Sequence, residues 1–371
     1  MDENTAYINA FMDDFSLANP GEKLFGQAVR TALEAVTPYI LDHPSVEDQN
    51  IMQRLCEPEL SASFRVCWLD DEGEVMVNRG YYVRMNGALG KCRGRLRFTS
   101  SVNVDTIKAL AFVQTFQNAL SDSPAGGCAA GADFSTKGKS DTEVMNFCQS
   151  FMTELQKYAG CFVPVGDMGV GERESGFIFG QLRRLREDVP CISLPMEESA
   201  CVVPADLAGK TVAVSGSGKV AQYAVSKAIE AGARVVTMSD SEGFIYDRAG
   251  IDTERLAYLA EIKNVFHGSV KRYVEKYPQA EYFAGGRPWS VKCDAALACA
   301  CENELDGDDA KKLLKNGCGC VAELSVISTT PEARSAFASA GIQYFPSVIA
   351  GERAVTAFKL IADAMLLQGL V

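Results

Sequence analysis

Residues 211–222 read Thr-Val-Ala-Val-Ser-Gly-Ser-Gly-Lys-Val-Ala-Gln, and this stretch decides the fold. Thr211–Ser215 is a short apolar run of strand type, and from Lys219 to about Glu230 the apolar spacing becomes helical. Between them lies a G-x-G-x-x-A turn made of Gly216, Ser217, Gly218, Lys219, Val220 and Ala221. Small residues there let the backbone approach a pyrophosphate, and the unsatisfied amides of the helix N-terminus face the anion. Gly232 ends the helix and Arg234–Ser239 is the next strand. Asp240 follows roughly 20 residues after the turn, where a carboxylate can accept from a ribose hydroxyl. A tight strand–helix turn with no ligand uses the same residues.

Working outward, Ala295–Ala298, Cys320–Glu323 and Ile342–Phe345 are strand candidates, with helices over Asp306–Lys315 and Pro331–Ala340 between them. Pro331 after Thr330 suits the first turn of a helix. This alternation predicts a doubly wound parallel sheet. Upstream, Gly21–Leu41 places Leu24, Ala28, Ala32, Val36 and Ile40 on one stripe, and Pro38 is expected to kink or end that helix. Ser63–Leu69 and Val75–Met85 flank Asp70-Asp71-Glu72-Gly73 and read as a hairpin. Ser101–Leu120 is a largely apolar helix, and Ser140-Asp141-Thr142-Glu143 is a capping box opening another. A last helix over about 354–368 ends at Gly369.

Composition narrows the classes. Lys and Arg number 36 against 48 Asp and Glu, a net charge of −12, so nucleic acid and anionic membrane surfaces are not expected partners. Two histidines, His43 and His267, exclude a three-His zinc site. Thirteen cysteines cannot form a complete disulfide framework and point to reduced thiols in a cytoplasmic setting. The acidic start of the chain lacks the apolar core of a signal peptide, and the apolar run from Ile107 to Phe116 is too short to span a bilayer. Cys299 with Cys301, and Cys318 with Cys320, have metal-like spacing. The two pairs fall at opposite ends of neighbouring parallel strands, so no metal site is expected.

Further segments carry a resemblance. They are Val77-Asn78-Arg79-Gly80, Gly94-Arg95-Leu96-Arg97-Phe98, Lys137-Gly138-Lys139-Ser140-Asp141, Gly166-Asp167-Met168-Gly169-Val170-Gly171, the glycine turn itself, Pro288-Trp289, Asn303-Glu304 and Ala362-Asp363-Ala364-Met365. In this order, from about residue 20 to the end, the chain resembles the NADP-specific, small-subunit hexameric glutamate dehydrogenases. The resemblance implies an α/β protein. Residues 1–199 would form an N-terminal α/β oligomerisation and substrate-type domain. Residues 200–346 would form a Rossmann-like doubly wound parallel-sheet domain, and residues 347–371 a C-terminal helix returning to the first. It also implies interconversion of glutamate and 2-oxoglutarate plus ammonia with a nicotinamide dinucleotide.

The residues that the family's chemistry needs are altered. Glutamate has two carboxylates and its pocket needs fixed cations, while iminium chemistry needs a proton relay. By resemblance the family uses three lysines and an aspartate. The lysine of a Lys-Gly-Gly-Leu-Arg-Phe motif corresponds to Arg93, with Arg95 in place of a glycine. The lysine before Asn-Ala-Leu corresponds to Gln117, and the catalytic lysine of a Gly-Gly-x-Lys-Gly-Gly loop to Ala129. The aspartate is matched by Asp167, which a glycine-rich turn would also use to satisfy its own amides. Cys128 is the one candidate substitute nucleophile in the altered loop, with no histidine nearby in sequence.

Lys137 and Ser241 match positions suited to a 2′-phosphate, so NADP is the cofactor implied if any is bound, and none is the expectation. Residues 194–204 pass without the family's Arg-Pro-Glu-Ala-Thr-Gly-Tyr-Gly motif, a loss of roughly 20 residues from the cleft of a doubly wound fold. Its Glu-Gly-Ala-Asn loop has become Glu323-Leu324-Ser325-Val326, and Phe345-Pro346-Ser347 leads almost directly to the last helix. The expectation is therefore a pseudoenzyme that self-associates or assembles with other subunits in the cytoplasm, the cytoskeleton being one such assembly. The alternatives are an NADP-dependent oxidoreductase acting on glutamate or a related amino or oxo acid, and a regulatory subunit of true glutamate dehydrogenase.

Overall fold

The first sheet is built from five strands: β1 (Leu60–Leu69), β2 (Val75–Asn86), β3 (Cys92–Phe98), β4 (Gly126–Ala132) and β5 (Val163–Gly166). They lie in the order β1-β2-β4-β3-β5, with β1/β2 and β2/β4 antiparallel and β3 parallel to both β4 and β5. The expected hairpin is thus present and longer at both outer ends. Its turn is organised by Asp70, whose carboxylate accepts from the amides of Glu72 and Glu74. The computed structural model describes residues 2–159, 162–185 and 207–370. The chain divides into two compact units, residues 1–196 with 348–371, and residues 197–347. The expected boundary at 199/200 lies outside the described residues.

The Gly126–Gly131 segment, expected to be a loop, is the central strand β4, and it is buried at every residue. The physical reason is close approach on both faces. A Cβ on Gly127 would lie 2.0 Å from Thr115 Oγ1 and 2.5 Å from Thr115 Cα in helix Val104–Ala119. On the neighbouring strand, a Cβ on Gly94 would lie 2.0 Å from the Cys128 carbonyl oxygen. The other face of the sheet, through Leu96, Phe98, Ala130 and Ala132, packs on Phe147, Phe151 and Leu182 of helices Asp141–Ala159 and Glu172–Leu185. The first of these helices opens with the capping box: Glu143 N donates to Ser140 Oγ, and Ser140 N donates back to Glu143 Oε2.

Helix Lys23–Leu41 runs through Pro38 instead of ending there. Pro38 removes one amide from the ladder, but only three helical residues follow it. Val36 and Ile40 on either side of it are both buried, which keeps the helix docked. The last helix, Gly351–Gln368, packs on Lys23–Leu41 and Val104–Ala119, and is pinned where Arg54 Nη2 donates to the Gly369 carbonyl and Gln368 Nε2 to that of Ala88.

The second unit holds β6 (Thr211–Val214), β7 (Arg234–Asp240), β8 (Gly243–Tyr246), β9 (Glu281–Ala284), β10 (Ala295–Ala298), β11 (Cys320–Glu323) and β12 (Gln343–Phe345). Their order is β12-β11-β10-β6-β7-β8-β9. The five strands from β12 to β7 are parallel, and the alternation of strand and helix from 211 onward is the predicted doubly wound sheet. β8 and β9 extend it antiparallel. These two strands are short and lie among turns, which hides their period.

If close backbone approach holds the first unit together, Gly127→Ala should cost about 3 kcal/mol or more. Gly180→Ala, in open space on helix Glu172–Leu185, should instead stabilise by roughly 0.5–1 kcal/mol. Urea unfolding of the two variants checks the contrast.

Candidate functional site

Alternation along β3 puts Arg93, Arg95 and Arg97 on one face, the face covered by helix Val104–Ala119. The turn after β5 brings Asp167 to them. It is locked to β3 by Asp167 N donating to the Leu96 carbonyl and Phe98 N donating to that of Met168. Gly169 has φ +75°, and a Cβ there would lie 1.8 Å from the Phe98 carbonyl oxygen. Asp167 therefore does more than satisfy a turn. Arg97 Nε and Nη2 both reach Asp167 Oδ2, at 3.0 and 2.9 Å, and Arg95 Nη1 lies 3.7 Å from Oδ1. Burial works to raise the pKa of this carboxyl, but Arg97 and then Arg95 outweigh it and hold it below the usual value.

Arg95 is also tied to the helix. Its Nε donates to Gln114 Oε1 and its Nη2 to Gln117 Oε1, both at 3.1 Å. Gln114 Nε2 donates onward to Asn118 Oδ1, and Asn118 Nδ2 donates to the carbonyls of Arg93 and Gly126. The network joins β3, β4 and the helix through side chains of fixed donor and acceptor sense. Ala129 lies in register with Arg95 on β3 and Val83 on β2 and is fully buried. Cys128 beside it is also fully buried, and its thiol is pushed well up, first by burial and then by its hydrogen bond with Cys92. A thiol held neutral in this way is a poor nucleophile. Arg93 and Gln117 are half-buried at the edges of the cluster.

In the second unit the glycine turn sits where strand order reverses, between β6 and β10. Ser215 N donates to the Leu297 carbonyl, Ser215 Oγ accepts from Cys299 N, and Gly216 N donates to Ser239 Oγ at 2.7 Å. Gly216 has φ +79°, and a Cβ there would lie 3.0 Å from the Cys299 carbonyl oxygen. Ser217 is buried, and its carbonyl accepts from Gln222 Nε2. Gly218 caps helix Lys219–Glu230 with no side-chain hydrogen bond. Gly216, Gly218 and the amides at Lys219 and Val220 thus fit a pyrophosphate. Asp240 fits a ribose less well. Its Oδ1 accepts from Glu242 N and its Oδ2 from Val270 N, each at 2.9 Å, and Lys263 Nζ stands 3.8 Å away. Ser241 is exposed beside it, whereas Lys137 is exposed in the first unit.

Glu304, in the Asn303-Glu304 segment, is a site residue without a motif of its own, and Asn303 introduces it with φ +52°. Its carboxyl lies against the glycine turn, accepting from Ala300 N at 2.8 Å and bonding Ser215. Burial raises its pKa to about 7, against opposing hydrogen bonds from Ser215, Ala300 and Cys301. Glu323, the last residue of β11, accepts from Thr329 N and Ser347 N with its two oxygens. Cys299 follows β10 at its C-terminal end, and Cys318 and Cys320 stand at the N-terminal end of parallel β11. Among the described residues no three His, Cys, Asp or Glu side chains gather as metal ligands. Nor is any helix there long and apolar enough to cross a membrane. Residues 194–204 lie outside the described residues.

Asp167→Asn should cost about 3 kcal/mol near neutral pH, because it leaves buried Arg97 without its counter-charge. A lowered folded-state pKa contributes stability above the unfolded value and loses it as pH falls, so the gap to wild type should close in acid. Glu304 has the opposite sign. Its raised pKa contributes stability below the usual 4.5 that is lost as pH rises through about 7. Glu304→Gln should therefore gain roughly 2–3 kcal/mol relative to wild type between pH 5 and 8, any pH-independent cost cancelling from the difference. Chemical denaturation across pH tests both.

Comparison with known proteins places this geometry. The family described as glutamate/leucine/phenylalanine/valine dehydrogenase matches residues 195–368, and the corresponding dimerisation domain matches residues 58–184. A glutamate dehydrogenase of Bacteroides thetaiotaomicron is 42% identical over 369 residues, covering 93% of this chain and 83% of the relative. An NADP-specific glutamate dehydrogenase of Haemophilus influenzae is 42% identical over 365 residues, covering 92% and 81%. A solved glutamate dehydrogenase superposes with a TM-score of 0.88 at 33% identity, covering 99% of this chain and all of the other. The chain belongs to the Glu/Leu/Phe/Val dehydrogenase family, as a glutamate-dehydrogenase-like member with the dimerisation and Rossmann-like domains of that fold.

Proposed function

We propose that this chain is a glutamate-dehydrogenase-like subunit that no longer catalyses dehydrogenation and acts through self-association, as a structural or interaction subunit of a larger assembly. The observation that carries the reading is the triangle of Ala129, Arg95 and Asp167. The position matched to the family's catalytic lysine is a fully buried methyl group, in register with Arg95. The carboxylate matched to its aspartate is engaged by Arg97 and Arg95. No group at Ala129 can donate or accept a proton, and general acid–base assistance is typically worth about 10²–10⁴ in rate. The buried strand β4 and the dimerisation-domain match support retention of the assembling half of the protein.

A second reading is favoured by one observation. The strand–glycine–helix element keeps its positive-φ Gly216 and has glycine, with no side chain over the amides, at the helix N-cap, which supports nucleotide binding without turnover. NADP is the dinucleotide to test, since it is named for a relative.

Glutamate-dependent reduction of NADP⁺ by the purified protein should fall at least about 10²-fold below that of an active relative assayed in parallel. A rate within tenfold of the relative would sink the first reading. NADPH fluorescence titration addresses the second: saturable binding with no turnover supports it. Co-purification with an active glutamate dehydrogenase would redirect the role towards a regulatory subunit.

A further inference from the structure

We propose that Arg95 is a tethered occupant of the pocket beside Asp167, a side chain that closes the site to amino acids by taking the interactions an amino acid would need. The inference rests on reading this pocket as the remnant of a glutamate site and adds how it is shut. Three contacts converge on one guanidinium: Gln114 through Nε, Gln117 through Nη2 and Asp167 through Nη1. The Arg95 side chain is only 20% exposed, so its volume lies inside the protein.

The chemistry of exclusion follows from charge. An amino acid bound here brings an ammonium group that needs a carboxylate and a carboxylate that needs donors. Asp167 is already shared between Arg97 and Arg95, and its second oxygen faces Arg95. The two glutamine oxygens that could accept from an ammonium group accept from Arg95 instead. Arg95 also stands in register with Ala129, a fully buried residue whose side chain is a single methyl. A guanidinium held on three sides is pre-organised, and a free ligand has to displace it while giving up its own translational and rotational freedom.

Removing the occupant should expose Asp167 Oδ1 together with the Gln114 and Gln117 oxygens. The site would then prefer a ligand that carries a cation. The probes are L-glutamate and 2-oxoglutarate, which share two carboxylates but differ in the ammonium group. Isothermal titration of the wild-type chain should show no saturable binding of either at millimolar concentration. Arg95→Gly, which removes both bulk and charge, should bind L-glutamate at least tenfold more tightly than wild type, and more tightly than it binds 2-oxoglutarate. Arg95→Ala, which keeps the strand's backbone preference, should show the same gain if the glycine variant unfolds, as judged by circular dichroism. Arg95→Met keeps the bulk and should gain little.

Wild-type binding as tight as that of the variants, or a folded Arg95→Gly or Arg95→Ala chain with no gain, overturns the proposal. So does a gain that favours 2-oxoglutarate. These results are separable from the reading on which the proposal rests. Turnover by the wild-type chain would sink the loss of catalysis, whereas failure of the variants to bind would sink only the role of Arg95.

Discussion

Backbone contact at β4 is the constraint on which the first unit depends. The strand has no side chain larger than a thiol from Gly126 to Ala132, and it is buried throughout. Helix Val104–Ala119 can lie on it because Gly127 and Gly131 have no Cβ, and β3 can run beside it because Gly94 has none. Packing at this density has no room for another methylene. The glycines at these positions are needed by the fold whatever the chemistry. The glycines of 126–131 are thus explained by packing alone.

The arginine row of β3 lies on this same face, under helix Val104–Ala119. Three guanidinium side chains at alternate positions share a face with small residues of β4. The cluster is tolerable because Asp167 neutralises part of it and because Gln114, Gln117 and Asn118 satisfy donors and carbonyls in a chain of hydrogen bonds. Burying such charge is costly unless it is paired and bonded. The same pairing that makes the cluster stable engages the groups that the proposed closure by Arg95 depends on. Stability and closure of the pocket here have one cause.

The second unit shows the complementary case. Its glycine turn is anchored from below by Ser215, Ser239 and Glu304, all internal to the unit. The turn therefore keeps its shape through the chain's own hydrogen bonds, and shape alone is no measure of whether a nucleotide is held. Asp240 makes the same point, since its carboxylate organises the β7–β8 turn and the start of the segment at Val270.

Much was legible in the residues themselves. The hairpin, the capping box at Ser140, the Rossmann-type turn and the strand–helix alternation are local patterns, and local rules suffice to read them. β4 was misread as a loop because glycine-rich segments carry turn propensity, and only neighbours distant in sequence make them a strand. The helix does not end at Pro38 because the burial of Val36 and Ile40 that holds its last turn is set by packing partners and not by local sequence. The partners of Asp167 were out of reach for the same reason: Arg97 lies 70 residues away, and a pairing at that separation is set by how β3 and β5 are brought together. The family and its fold follow from motifs in the sequence alone, because turns, caps and strand–helix alternation are local. Only the tertiary structure decided that Arg95 fills the space beside Asp167, because a side chain's destination depends on packing across strands and not on its place in a motif.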